Sequence, residues 1–166
     1  MAIAISSAGV RVYYIAAPNT SAPTAQSGFV EIPDVKSIPS LSPAPDTLET
    51  TPLSNTEYKT YINGLKDLGG ALEFTVNLSQ DLLDIWNGTS DDDANSVMGK
   101  FNALEEGQTL WLAVVHPKLD KAVYFPFEPA KLGLPEISVN SVLEGTLSIT
   151  PTGEVVWGAK PTIQAA

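Results

Sequence analysis

The chain has 166 residues, of which 43% are hydrophobic and 17% charged, with no cysteine and one histidine. These values predict one folded domain and exclude a disordered chain, a disulfide framework and a thiolate metal site. Nineteen acidic residues against nine basic ones give a formal net charge of −10, which argues against a duplex-binding groove lined by Lys and Arg. We find no signal-peptide pattern and no membrane-spanning run, and we expect a protein that is made and kept in a cytoplasm.

Proline divides the front of the chain from the middle. Seven of the thirteen prolines lie between Pro18 and Pro52, and none lies between Leu53 and His116. The front third is therefore predicted to be extended and rich in loops. Residues 37–56 are predicted to form a long Pro-rich loop, which inside a compact domain usually indicates function or disorder. Strands are predicted in this part of the chain at 9–16, 28–36 and 57–63.

The middle of the chain predicts a strand and then helices. Apolar and polar residues alternate over residues 72–78, which is the period of a half-buried strand. A short helical turn is predicted over Gln80–Trp86. A longer amphipathic helix is predicted over residues 90–106, with Ser90 as N-cap and the aspartates at 91–93 in the first turn. Its apolar stripe is Ala94, Val97, Met98, Phe101 and Leu104, and Gly107 fits the C-terminal cap.

The rest of the chain predicts further strands. Residues 110–115 are apolar on both faces, so we expect this strand to be covered twice, and another strand is predicted at 120–127. A long alternation over residues 138–150 predicts the last strand. The fold class is therefore mainly β (α+β): two packed antiparallel sheets or a flattened β-barrel with one flanking α-helix. We predict a single domain over residues 1–166, with an N-terminal arm at 1–8 and a C-terminal tail at 158–166.

No residue pattern predicts catalysis. The three aspartates at 91–93 are typical of a helix N-terminus, because Ca²⁺ loops space their ligands at alternate positions. His116 ends an apolar strand without a Gly-x-Ser-x-Gly motif elsewhere in the chain. Asp81 and Asp84 form a carboxylate pair, but nothing in the sequence sets their separation across a cleft. We expect no enzyme, no cofactor and no metal.

The charge distribution is the positive signal. Two alternating strands have polar positions at Glu73, Thr75, Asn77, Asn140, Glu144, Thr146 and Ser148. No lysine or arginine stands among them, whereas ordinary solvated sheet faces usually mix both signs. The face could be an ordinary solvated one, but hydroxyls, amides and carboxylates also suit a surface that polyanions pass without binding.

Three short motifs follow one another before the first alternating strand: IPDVKSIP at Ile32–Pro39, TLE at Thr47–Glu49 and YINGLKDLGG at Tyr61–Gly70. With them, the run from Phe29 to Leu78 resembles the tail tube (major tail) proteins of long-tailed bacteriophages with non-contractile, siphovirus-type tails. The order of the later helix and strands is similar to the same plan, so the resemblance extends over roughly residues 9–150.

The resemblance implies a structural subunit that assembles as six copies to a ring, with rings stacked into a hollow tube that conducts viral DNA into the host. It implies that the seven polar positions face the lumen. It also implies that the long loop bridges subunits through Ile38, Pro39, Leu41, Pro43, Pro45, Leu48 and Leu53. The implied partners are further copies of the chain, the tape measure, tail terminator and tail tip proteins, and DNA that passes without specific binding. No membrane is implied, and the location is the virion tail, after assembly in the host cytoplasm.

Two other classes of protein remain open from the sequence. One is the tube protein of a contractile tail or a secretion system, which shares the fold and the ring. The other is a β-sandwich binding module, which predicts a stable monomer with aromatic side chains on one rim.

Overall fold

The computed structural model describes residues 4, 6, 8–24, 28–42, 44–67, 70–90 and 93–161. It is mostly β, with two antiparallel sheets and two short helices, as the sequence predicts. The elements are β1 (Arg11–Pro18), β2 (Val30–Ile32), β3 (Val35–Ser37), β4 (Pro45–Glu49), β5 (Tyr61–Lys66), β6 (Leu72–Asn77), α1 (Gln80–Trp86), α2 (Val97–Asn102), β7 (Gln108–Val115), β8 (Lys121–Pro129), β9 (Glu144–Pro151) and β10 (Val156–Ala159).

The larger sheet has eight strands. Seven follow the order β2-β1-β7-β8-β9-β6-β3, and β10 pairs with the first half of β8. The end strands β2 and β3 are consecutive in the chain, separated only by Pro33 and Asp34. Asp34 has a φ of 62°, and the chain bends there. Strands β2 and β3 are thus one extended segment that passes from one edge of the sheet to the other. The sheet is not closed by hydrogen bonds, but it has the form of a flattened barrel. The smaller sheet consists of β4 and β5 alone.

The main core lies inside this curled sheet. Buried side chains from β1, β7 and β8 meet those from β6 and β9, and Leu82, Trp86 and Val97 of the two helices complete the cluster. A second cluster lies on the outer face of β1, β7 and β8, against Phe29 and Val156. The prediction that residues 110–115 are covered on both faces is confirmed, and the outer cover comes from β10 and a loop.

The amphipathic helix predicted over residues 90–106 is much shorter in the structure. It spans Val97–Asn102 instead of 90–106, and Ser96 is its N-cap because its Oγ accepts the Gly99 N–H at 2.9 Å. The predicted cap, Ser90, precedes a turn. In that turn the Asp93 carboxylate accepts backbone N–H groups of Thr89 at 3.0 Å and Asn95 at 2.9 Å, an alternative to helical bonding. Asp91 and Asp92 lie outside the described residues. The other helix, Gln80–Trp86, has the bounds predicted for a short helical turn.

The last predicted strand is wrong in its first half. It begins at Glu144 and not at residue 138. Asn140 has a φ of 63°, and the Ser141 Oγ donates to the Ser138 carbonyl at 2.9 Å, so this stretch forms a turn. Val139 is 89% exposed, because the turn directs it away from the core that the alternation predicted for it.

Candidate functional surfaces

Two neighbouring strands carry six of the seven polar positions on one surface. In the register of β6 with β9, Glu73 lies opposite Ser148, Thr75 opposite Thr146, and Asn77 opposite Glu144. Directly opposite residues project to the same side of a sheet. Phe74, Val76 and Leu147, which lie between these positions, are buried in the main core. We call the surface formed by Glu73, Thr75, Asn77, Glu144, Thr146 and Ser148 the polar face.

The register adds residues to the polar face that sequence analysis missed. Glu128 of β8 lies opposite Thr150 of β9, and both are exposed. On the other side, Ser37 of β3 lies opposite Thr75 across a bulge. The sequence gives little indication of Glu128, because it is a single polar residue between Phe127 and Pro129. It becomes readable only once β8 is known to neighbour β9.

One basic residue reaches the polar face. Lys36 of β3 forms an ion pair with Glu144, from Nζ to Oε1. No lysine or arginine stands among the seven polar positions, and the sequence alone does not connect Lys36 to Glu144, which lies 108 positions away. With Glu128, Thr150, Ser37 and Lys36 added, we call this surface the extended polar face. Among the described residues it carries three carboxylates, from Glu73, Glu128 and Glu144, and one ammonium group that contacts Glu144.

Asn140 does not belong to the polar face. It lies in the turn before β9, so the cross-strand register that joins the other six positions does not include it. The assignment of the polar face to a lumen stays a prediction, because it concerns an assembly of several copies.

The second surface is a hairpin that projects from the domain. Strands β4 and β5 pair only with each other, and the pairing continues beyond them, where the Thr50 N–H donates to the Thr60 carbonyl at 2.8 Å. We call residues 45–66 the projecting hairpin. Its large apolar side chains point to solvent: Leu53 is 105% exposed and Leu65 is 86% exposed. Leu48, Tyr58, Tyr61 and Ile62 are also exposed.

The seven predicted loop residues separate into two groups. Ile38 and Leu41 are partly buried and pack against the main core of their own chain, and Pro39 is half-buried beside them. Pro45, Leu48 and Leu53 belong to the projecting hairpin. Pro43 lies outside the described residues. The segment 37–56 is therefore not one continuous loop, because it includes β4.

A groove of about 750 Å³ lies where the projecting hairpin meets the domain. Its lining includes Leu41, Leu65, Lys66, Val155 and Trp157. The indole of Trp157 is 62% exposed. The groove places Leu65, at the base of the projecting hairpin, next to the turn between β9 and β10.

The groups with shifted pKa values owe the shifts to burial, to a nearby charge or to backbone hydrogen bonds. Burial raises the pKa of Tyr14 to about 12, with a smaller effect from the charge of Asp93, and burial also raises that of Tyr124 to about 12. Backbone N–H bonds from Thr89 and Asn95 lower the pKa of Asp93. Burial lowers the pKa of Lys100, whose Nζ lies 4.9 Å from the centre of the Tyr14 ring.

His116 bonds to backbone on both sides of its ring. Its Nδ1 accepts the Lys118 N–H at 3.0 Å, so its Nε2 donates to the Ser6 carbonyl at 2.5 Å. Within the described ranges, no group of three or more His, Cys, Asp or Glu side chains is arranged to hold a metal ion. In that same part of the chain, no helix has the length and apolar character needed to cross a membrane.

The fold is similar to that of a chain in the cryo-EM structure of the anti-feeding prophage (AFP) baseplate, 6-fold symmetrised. The TM-score is 0.59 and the sequence identity 11%, and the similarity covers 96% of this chain and 98% of that chain. No protein-family model matches the chain, and no curated protein does. At this identity, the likeness shows a common fold over nearly the whole of both chains.

Proposed function

We propose that this chain is a non-enzymatic structural subunit of a phage tail tube, which forms hexameric rings that stack into a hollow conduit for viral DNA. The observation that carries the proposal is the polar face. Its strands β6 and β9 place hydroxyl, amide and carboxylate side chains opposite one another in three cross-strand pairs. The lysine that reaches the face contacts a glutamate.

Such a face suits the wall of a DNA channel. Proteins bind the DNA backbone by neutralising phosphates with Lys and Arg and releasing counterions. A wall of carboxylates and hydroxyls offers the phosphates no such exchange, so DNA slides past it. Because salt screens charges beyond about 8 Å, the residues that act on the DNA are those of the face itself rather than the net charge of the domain.

The projecting hairpin supplies a surface for contacts between copies. Exposed apolar side chains in a continuous group are typical of interaction sites. Leu48, Leu53 and Leu65 are exposed along one element whose strands pair only with each other. Seated on another copy, the hairpin would bury these side chains and join adjacent subunits.

The symmetry of the structural neighbour favours a ring. The AFP baseplate structure is six-fold symmetrised, and a head-to-tail contact that closes after six copies gives a hexamer. This neighbour also supports a second candidate, a ring subunit of a baseplate, a contractile tail or a secretion system. The two candidates differ in whether rings of this chain alone continue to stack.

Electron microscopy of the purified protein separates these candidates. We expect hollow tubes of uniform width with six-fold end views. Single rings that do not stack would favour the baseplate-type subunit. A monomer at all concentrations would overturn both and favour a binding module.

The hairpin contact is tested with Leu53→Ser combined with Leu65→Ser. We expect a folded protein that forms no tubes. The matched control is Glu105→Ser combined with Glu106→Ser, which removes two exposed side chains from the connection before β7 and should leave assembly intact. Normal tubes from the leucine variant would contradict the role of the hairpin.

The conduit role is tested with Glu73→Lys combined with Glu128→Lys. We expect tubes of normal appearance and particles that eject DNA slowly or incompletely, because two new ammonium groups per subunit bind phosphate. The control Glu105→Lys with Glu106→Lys adds the same charge in the connection before β7. Equal genome release from both variants would contradict the assignment of the polar face to the lumen.

A further inference from the structure

Lys36 is the one basic residue on the three strands that carry the polar face and its β3 edge. Strands β3, β6 and β9 are described along their whole length, and their other residues are apolar, neutral polar or acidic. The Lys36 side chain is 52% exposed and that of Glu144 is 37% exposed. The ammonium group is therefore at the surface, where a large polyanion can reach it.

The sheet order gives this ion pair an unusual path. Strand β6 lies between β3 and β9, so Lys36 and Glu144 are on strands separated by about two strand spacings, or roughly 10 Å. The Lys36 side chain must extend across β6 to contact Glu144. It crosses on the side where Asn77 projects, because Asn77 is directly opposite Glu144. The only ammonium group of the three strands is thus drawn over the polar face and held by its own carboxylate.

We infer that Glu144 masks Lys36, so that the polar face presents no unpaired cation to the phosphates of passing DNA. This inference rests on the proposed function. An ammonium group released from Glu144 would bind backbone phosphate and displace a counterion. Each such contact makes the logarithm of the binding constant fall by about 0.9 for each unit rise in the logarithm of the salt concentration. In a stack of rings, one such lysine per subunit would repeat around and along the wall, and many weak contacts would add to a strong hold.

The masking is tested by comparing two variants of equal net charge, only one of which frees the lysine. Glu144→Gln removes the partner of Lys36. Glu73→Gln removes a carboxylate from the same face and leaves the ion pair intact. The probe is a short fluorescent DNA duplex mixed with purified tubes, and the readout is the fraction that sediments with them between about 50 mM and about 500 mM NaCl.

We expect E144Q tubes to retain the duplex about tenfold more strongly than E73Q tubes at the lower salt concentration, and the difference to vanish at the higher one. The double variant K36Q/E144Q should return retention to the level of E73Q tubes. The charge exchange K36E/E144K keeps an ion pair in reversed order, so it should retain no more duplex than the unaltered protein.

Equal retention by E144Q and E73Q tubes would overturn the masking, as would strong retention by K36Q/E144Q. The proposed function fails separately, when the unaltered protein forms no tubes. In that event the same variants are compared as monomers by fluorescence anisotropy of the duplex, where tighter binding by E144Q alone supports the masking and equal binding overturns it. If E144Q does not fold, E144A and the charge exchange give the same comparison.

Discussion

Trp86 connects the first helix to the chain between β8 and β9. Its indole is fully buried in the main core, and its Nε1 donates to the Ala130 carbonyl at 2.8 Å. The next residue, Asn87, makes two further bonds to Leu132, through its amide nitrogen at 2.8 Å and its amide oxygen at 2.9 Å. These bonds hold the helix against the strand that ends at Pro129, beside Glu128 of the extended polar face.

We predict that Trp86→Phe lowers the free energy of unfolding by about 2 kcal/mol, because it removes buried volume and leaves the Ala130 carbonyl without its donor. Urea unfolding followed by circular dichroism measures the change. Trp157→Phe is the matched control. Because that indole is 62% exposed, its replacement should change stability by less than about 0.5 kcal/mol. Equal effects from the two substitutions would contradict this view of the core.

The buried tyrosines predict a loss of stability in alkali. Burial raises the pKa of Tyr14 and of Tyr124 to about 12 from the ordinary tyrosine value of 10.0. Between these two pH values, unfolded tyrosines release protons that the folded ones keep. The unfolded state is then favoured increasingly as pH rises. We expect the urea midpoint to fall steadily from pH 10 to pH 12, with no contribution from these tyrosines below pH 10.

Tyrosine variants identify the groups responsible for this fall. Tyr14→Phe and Tyr124→Phe should each make the decline of the urea midpoint shallower, whereas Tyr58→Phe, on the exposed side of the projecting hairpin, should leave it unchanged. Absorbance at 295 nm reports tyrosinate formation in the same samples. A decline of the same slope in the Tyr14→Phe and Tyr124→Phe proteins would contradict the assignment.

At the scale of elements, period-two patterns predicted strands well where both faces have a definite environment. Strand β6 has the predicted bounds to within one residue, because its apolar positions enter the core and its polar positions do not. The same pattern failed before β9, where Val139 and Leu143 were predicted on the apolar side of the strand but both precede it and are exposed. Alternation predicts which side a residue takes on a strand; it does not show where pairing stops.

The candidate surfaces were predictable to different degrees for the same physical reason. Six polar positions were readable because the side of a strand is a local property. The masking of Lys36 was not, since it depends on β3 becoming the neighbour of β6. Only the first half of the projecting hairpin was expected as a loop, because of its prolines, and the strand predicted at 57–63 overlaps β5. Strand β4 nevertheless pairs with β5 from Pro45 to Glu49.

We predict that the domain folds without the projecting hairpin. Strands β4 and β5 make their main contacts with each other, and Pro45 lies opposite Lys66, so an Asn-Gly turn can replace residues 47–63. The free energy of unfolding should change by less than about 1 kcal/mol, while tube formation is lost. Urea unfolding and sedimentation measure the two effects. A shortened protein that unfolds, or one that still forms tubes, would contradict this independence.

At the scale of the whole molecule, two surfaces of opposite character are on different sheets. The polar face belongs to the eight-stranded sheet, and the exposed leucines belong to the two-stranded one. A subunit arranged in this way can bury one surface against other copies and leave the other in contact with water. Tyr13, Trp111 and Tyr124 belong to a second buried cluster on the outer side of β1, β7 and β8.

The net charge of −10 predicts that assembly depends on salt. Copies of like charge repel one another as they approach, and the screening length falls from about 10 Å at 0.1 M salt to about 3 Å at 1 M. Contacts that Leu53 and Leu65 would make with another copy are apolar and would not be screened. We therefore expect tube formation, followed by light scattering and pelleting, to be faster at about 500 mM than at about 50 mM NaCl. The Leu53→Ser/Leu65→Ser protein should remain unassembled at both concentrations. Slower assembly at the higher concentration would mean that ion pairs, and not the apolar hairpin, hold the copies together.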